Sequence, residues 1–389
     1  MTTITRTKVP FHRASLGEEE VEAVAEVIRS GWLTMGPRTF EFERQFASYV
    51  GARYAIAVAS CTAALHLALE TVGVKRGDEV LLPTTTFTAT AEVVTYFGAR
   101  PVLVDVDRHT LNISIEDAAR KITSQTRALI PVHFGGQPCD MTAICDLAAS
   151  HDLHVIEDAA HALPSEYQGK RVGAISELTA FSFYATKTLT TGEGGMITTD
   201  NETYAKRLRL MRLHDISRDA WSRYGDQGSW YYEVHEAGYK YNLTDIQSAL
   251  GIVQLAKCDA MSDARQRIAG IYNQRFGDIE ALEVPLVLPD RTTSWHLYVL
   301  RLNLSRLRIG RDRFISELAE RGVSTSVHFI PLHMQPYYQQ SYGYKSGDFP
   351  QAEGEYQRSI SLPIFPSMTD EEIEHTVSSV LDVAQSWSA

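Results

Sequence analysis

Residues 180–200 read AFSFYATKTLTTGEGGMITTD, a short β-prone run that delivers Lys187 into a turn rich in Thr and Gly. Gly192, Gly194 and Gly195 let the backbone pass close to a bulky neighbour, because no Cβ stands in the way. A lysine desolvated among Phe, Tyr and Ala has a lowered pKa, and its neutral amine can condense with an aldehyde. A solvated surface lysine is the other reading of this stretch by itself. The surroundings decide between the two.

Outward from that stretch, toward the N-terminus, short apolar runs alternate with helical ones. From Tyr54 come YAIAVAS, CTAALHLALETVG, EVLLP, TATAEVVTYFG and RPVLVDVD, then a helical stretch around Ser114 to Ile122, ALIPVHF, a helix from about Asp140 to His151, and HVIEDAA. Strands without polar alternation, interleaved with helices, predict an α/β architecture whose mostly parallel sheet is covered on both faces. Ligands of such sheets lie at the carboxyl ends of the strands. Upstream, SLGEEEVEAVAEVIRSG predicts a helix with a Ser15–Glu18 capping box and a stop at Gly31, and Trp32 to Pro37 is then a loop. Beyond about Cys258 a second unit follows, with a connecting helix DARQRIAGIYNQRF, strands SWHLYVLRL and VSTSVHFIPL, helix GRDRFISELAERG and a last helix TDEEIEHTVSSVLDVA. The Tyr-rich segment 337–357 reads as a long surface loop. These shifts divide the chain into a larger unit, 1–255, and a smaller α+β unit, 256–389.

Candidate site residues fall at the strand ends. Cys61 and Thr62 open a helix whose first N–H groups and dipole suit a phosphate, although a Ser or Thr there is also an ordinary cap. Phe87 follows three threonines and is placed either to lie on a planar ring or to pack in the core. Asp158, just after an apolar strand and three residues before His161, is costly to bury without a cation; a protonated pyridine nitrogen would supply one, and capping of a following helix is the alternative. Asn242 precedes an amphipathic helix that starts near Thr244. Trp32 is either a core plug or part of a substrate-facing loop.

The 389 residues carry a formal charge of -11, which argues against a general nucleic-acid or membrane-surface binder. With no bilayer-length apolar run and no leader pattern in MTTITRTKVPFHRAS, the expected compartment is the cytoplasm. Four cysteines, Cys61, Cys139, Cys145 and Cys258, lack metal or disulfide spacing and are expected as free thiols, and no His grouping suggests a metal.

Taken together, SCTAAL, GDEVLLPTTTFTATAEVV, GARPVLVDVD, IPVHFGG, VIEDAAHA, FSFYATKTLTTGEGG and GYKYNLTDIQSALGIVQL, in that order, resemble the DegT/DnrJ/EryC1/StrS family of pyridoxal-phosphate aminotransferases acting on nucleotide-linked keto-sugars. The likeness runs from GWLTMGP to SLPIFPSMT. In GYKYNLTDI and PVHFGG it is similar to the subgroup making 4-amino-4-deoxy sugars, typified by the UDP-4-amino-4-deoxy-L-arabinose aminotransferase.

The resemblance implies a fold type I transferase with a seven-stranded sheet, working as a homodimer with sites at the subunit interface. It places Lys187 on the lysine that holds pyridoxal 5'-phosphate, Asp158 on the partner of the ring nitrogen and His161 beside the ring. Phe87 falls on the stacking aromatic, Thr62 and Ser182 on phosphate contacts, and Asn242 on the residue reaching the phosphate from the partner subunit. Cys61 stands where Gly or Asn is common and leaves its N–H available. By position, Trp32, Thr34, Lys240 and His328 are candidates for the sugar nucleotide. The implied reaction takes an amino group from L-glutamate, leaving 2-oxoglutarate, through the pyridoxamine 5'-phosphate form, to a 4-keto-sugar nucleotide. A 3-keto-sugar, a cyclitol ketone, a dehydratase or lyase reaction and a non-enzymatic regulator are the rivals. Relatives that dehydrate carry His in place of the lysine, and Lys187 therefore favours transamination.

Overall fold

The structure is a computed structural model and describes residues 7–216 and 231–389. Its centre is a seven-stranded sheet in the order β1-β9-β8-β5-β4-β2-β3. The strands are β1 Tyr54–Val58, β2 Glu79–Pro83, β3 Arg100–Val104, β4 Thr126–Leu129, β5 His154–Asp158, β8 Leu178–Ser182 and β9 Gly195–Thr199, with a hairpin of β6 Glu166–Tyr167 and β7 Lys170–Arg171 outside it. All seven run parallel except β9, which is antiparallel to both β1 and β8. The continuous apolar runs are explained by burial on both faces: Val80, Leu81 and Leu82 have no exposed surface, nor do Ile56, Ala57 and Val58.

Helices α2 Pro37–Val50, α3 Cys61–Thr71, α4 Ala89–Thr95, α5 Ile115–Lys121, α6 Met141–Ser150 and α7 Glu202–Met211 cover the sheet, and α1 Glu18–Ser30 packs on the helix Asp245–Ala256. Local chemistry sets their ends. Ser60 caps α3 by accepting from the Ala63 N–H (3.0 Å), and Ser114 and Asp140 do the same for α5 and α6. Helix α1 departs from the expected Ser15–Glu18 box: its cap is Gly17, whose N–H donates to the Glu20 carboxylate (2.7 Å), so the acidic run starts the helix two residues later. The stop at Gly31 is as expected, with φ 75°.

A second sheet, β10 Leu282–Glu283, β11 Tyr298–Leu302 and β12 Ser359–Leu362, is antiparallel and shares a separate core with helices Cys258–Phe276, Arg311–Glu320 and Asp370–Ser386. Val9 lies in this core and bridges to Val323, so the N-terminal segment packs with the C-terminal unit. On these two cores we propose the division into 1–255 and 256–389. Two expectations fail here. VSTSVHFIPL makes only isolated bridges, Val9 to Val323 and Ser326 to Ser361, and the third strand is Ser359–Leu362. The Tyr-rich segment holds two helices, Pro336–Tyr342 and Pro350–Arg358, each opened by a proline at its first turn. Among the described residues no helix is long and apolar enough to cross a membrane, no group of three or more His, Cys, Asp or Glu could hold a metal ion, and all four cysteines are free.

Candidate active site

A cavity of about 480 Å³ opens at the carboxyl ends of β2, β5 and β8, beside the start of β9. Gly195 is essential to that meeting: a Cβ there would lie 2.6 Å from the Ser60 carbonyl, so any larger residue would push β9 off the start of α3. Cys61, Thr62, Phe87, Asp158, His161, Ser182, Lys187 and His328 all line the cavity.

Lys187 sits in the turn after β8, its N–H donating to the Tyr184 carbonyl (2.9 Å) and its Nζ 3.5 Å from His296 Nε2. Burial lowers its pKa to about 8, against the opposing pull of Cys61 and Asp158. Asp158, at the end of β5, accepts from the Thr90 hydroxyl (2.8 Å) and the Ala160 N–H (3.1 Å). Burial nevertheless raises its pKa, and among the described residues it has no ion-pair partner within 4.0 Å. Asp158 thus caps no regular helix.

His161 accepts the Gly135 N–H at Nδ1 (3.3 Å), which puts its own proton on Nε2. Its ring lies 4.3 Å from that of His296 and stacks at 6.0 Å on Phe329. Burial, then the charge of Lys187, keeps His161 and His296 neutral, well below the usual histidine range. His328 is lowered to about 4 by the same two causes and bonds Ser361 Oγ through Nδ1 (2.8 Å). Phe87 is 60% exposed, an aromatic face open to the cavity.

Sequence reading missed Thr90, His296 and Phe329. Thr90 lies in the first turn of α4, where a buried threonine accepting from Thr86 (2.7 Å) looks like ordinary packing. His296 and Phe329 come from the second unit, and no local pattern couples them to β5. Among the described residues the Nδ1 of His296 has no hydrogen-bond partner although it is buried.

Four expected contacts lie elsewhere. Lys240 donates to Asn242 Oδ1 (2.6 Å) and Asn242 Nδ2 to the Leu243 carbonyl (3.2 Å), beside the end of β1 rather than in this cavity. Trp32 Nε1 donates to the Met35 carbonyl (3.3 Å), and Thr34 is exposed with its carbonyl accepting the Asp245 N–H (3.2 Å).

The donor set fits pyridoxal phosphate. The first N–H groups of α3, at Cys61 and Thr62, have no intrahelical acceptor, and the Ser182 hydroxyl lines the same cavity, which suits a phosphate. A carboxylate with no cation suits a protonated ring nitrogen, an open aromatic face suits the ring, and a partly neutral amine suits the aldehyde.

Comparisons with known proteins agree. Residues 14–381 match the model of the DegT/DnrJ/EryC1/StrS aminotransferase family. An uncharacterized protein of Methanocaldococcus jannaschii is 51% identical over 96% of this chain and 96% of its own. The spore coat polysaccharide biosynthesis protein SpsC of Bacillus subtilis is 47% identical over 97% of each. The fold superposes on Spr1654 of Streptococcus pneumoniae, assigned as a sugar aminotransferase and solved in a PMP-form and a PLP-form. The TM-score is 0.91 at 31% identity, covering 97% of this chain and 99% of the other for the PMP-form, and 98% and 99% for the PLP-form.

Proposed function

This chain belongs to the DegT/DnrJ/EryC1/StrS aminotransferase family, and from that premise we propose that it moves an amino group from L-glutamate to C4 of a nucleotide-linked 4-keto-sugar. It is a pyridoxal-phosphate-dependent aminotransferase of a sugar aminotransferase family. The observation that carries the transamination is one cavity in which the Lys187 amine and the Asp158 carboxylate both stand, each with its pKa moved by burial toward the neutral form; the donor and the sugar are proposed on the resemblance in GYKYNLTDI and PVHFGG.

When bound, pyridoxal phosphate supplies an electron sink for the donor Cα and carries the amino group between the two substrates. The residues do the rest. Lys187 Nζ, poised near pH 8, accepts a proton from the donor Cα and returns one to the substrate carbon. Asp158, steadied by Thr90 and Ala160, holds the ring nitrogen protonated. Phe87 would offer its open face to the ring, and His161, kept neutral and anchored by Gly135, would contribute to the same cavity without adding charge. The N–H groups of Cys61 and Thr62 and the Ser182 hydroxyl hold the phosphate.

Lys240 and Asn242, bonded to each other outside their own cavity, are proposed to serve the site of a second copy in a homodimer, with Lys240 bringing the cation that a diphosphate needs in an acidic protein. Trp32 and Thr34 are assigned to the same substrate-facing surface, and His328 to the sugar inside the cavity. The test is to convert the enzyme to its pyridoxamine form and add UDP-, dTDP- and GDP-linked 4-keto-sugars in turn. One of them should restore the aldehyde spectrum; no response to any of the three overturns the substrate class.

A further inference from the structure

Among the described residues the Lys187 amine has one hydrogen-bond partner, Nε2 of His296 at 3.5 Å. The pairing is mutual: the His296 ring bonds nothing else, and its Nδ1 is buried without a partner. A buried imidazole with one nitrogen unsatisfied is costly, so its place needs a reason. The two residues come from different units, Lys187 from the turn after β8 and His296 from the segment that leads into β11.

That segment is tied down on both sides of the ring. The Ser294 hydroxyl donates to the His161 carbonyl, the Ser294 N–H to Ser165 Oγ (3.0 Å) and the Leu297 N–H to the Gly135 carbonyl (3.2 Å). From the second unit, Nη1 of the buried Arg265 donates to the carbonyls of Trp295 (3.1 Å) and Ile364 (2.7 Å), with that of His296 at 3.5 Å. Between these anchors Trp295 sits at φ 49°, a left-handed conformation that a bulky residue keeps only where its surroundings enforce it. Strain of this kind, next to a ring with a single polar partner, points to that partner as the reason.

The ring does not compete for the proton. Burial comes first, then the charge of Lys187, and His161, Arg265 and His328 act in the same direction, so His296 stays neutral. Facing Lys187 itself are Cys61 and Asp158, which oppose the lowering by burial. A neutral imidazole that accepts one N–H of the amine through Nε2 keeps its own proton on Nδ1. It leaves the lone pair of the amine free and fixes its direction.

We propose that His296 is a positioning residue for Lys187, receiving the amine whenever it is free of the cofactor and aiming its lone pair at the donor carbon. The contact joins the two units across the catalytic cavity. The inference rests on Lys187 as the cofactor lysine and is independent of which sugar or nucleotide is used.

Stopped-flow uptake of pyridoxal phosphate by the full-length apoenzyme across pH tests it, joined to the half-reaction of the holoenzyme with L-glutamate. In the wild type uptake should reach half its plateau near pH 8. His296→Phe removes the acceptor that favours the ammonium form. Its midpoint should fall by about one pH unit, the lower end for a hydrogen bond to a charged group because this bond is long. His296→Leu serves in its place if the Phe variant does not fold. His296→Gln, whose amide reaches the position of Nε2, should restore the midpoint. The maximal rate of the half-reaction should drop about tenfold or more in the apolar variants, at a half-saturating concentration within about twofold of the wild type, because only the alignment of the amine is lost. A midpoint that stays or rises in the apolar variants, or falls in His296→Gln as it does in them, overturns the inference. So does a higher half-saturating concentration at an unchanged maximal rate, which makes His296 a substrate contact. If borohydride labelling finds the cofactor on another lysine, the reading of Lys187 falls first and takes this one with it.

Discussion

Glu157 and Asp158 are neighbours on β5, and the alternation of a strand sends their side chains to opposite faces of the sheet. Glu157, with no exposed surface, receives hydrogen bonds from His133 Nε2 (2.8 Å), the Ser176 N–H and hydroxyl (3.2 and 2.7 Å) and Thr179 Oγ1 (2.9 Å). His133 accepts the Cys139 N–H at Nδ1 (3.1 Å), so its proton sits on Nε2 and points at Glu157. Burial alone would raise the pKa of Glu157; the bonds from His133, Ser176 and Thr179 take it below the usual range. Asp158 has two donors where Glu157 has four, and its pKa goes up. One buried carboxylate is saturated by its own chain. The other is left short of partners on the face where a ligand comes.

That contrast can be broken by substitution. Asp158→Asn should cost about 100-fold or more in kcat, the scale of a lost electrostatic contact to the reacting group. The melting temperature of the apoenzyme should hold or rise, because a raised pKa means that ionised Asp158, with no cofactor bound, costs folding energy near neutral pH. Glu157→Gln should do the reverse. Weakening the hydrogen bonds to this buried charge costs about 1.5–3 kcal/mol in denaturant unfolding, while kcat of the folded enzyme changes by only a few-fold. A stable Glu157→Gln, or a fully active Asp158→Asn, would erase the distinction between the two faces.

The sequence made much of this site legible. The run VIED marks β5, SCTAAL marks the turn into α3, and FSFYATK ends on the amine, because each is a local pattern of burial and turn chemistry. What it hid is long-range. His296 and Phe329 reach the cavity from 138 residues or more beyond Asp158, a pairing that no window of sequence contains. The alternation in VSTSVHFIPL looks like a strand, but much of this segment lines the catalytic cavity and a second cleft beside it, where Val327, His328, Phe329 and Ile330 face open space in place of a pairing partner. In the Tyr-rich segment, Pro336 and Pro350 are the helix starts that a reading based on polarity passed over.

Two smaller effects sharpen the comparison. Lys187 stands on the Asp158 side of the sheet, and its pKa of about 8 means that the neutral amine gains about tenfold per pH unit below that value and levels off above it. Stopped-flow rates of pyridoxal-phosphate uptake by the apoenzyme should therefore climb from pH 6 to about 8 and then flatten. Thr90→Val removes one of the two donors to Asp158. Its pKa then rises further, and the acid limb of kcat/KM should move to higher pH by about one to two units, the size expected for one hydrogen bond to a charged group.

The central claim is that one buried amine, on the same side as the undersupplied carboxylate, holds the cofactor. Borohydride reduction of the holoenzyme followed by peptide mapping tests it directly. The account predicts a pyridoxyl label on Lys187, in the peptide that carries FSFYATK. A label on any other lysine, or none, would contradict it.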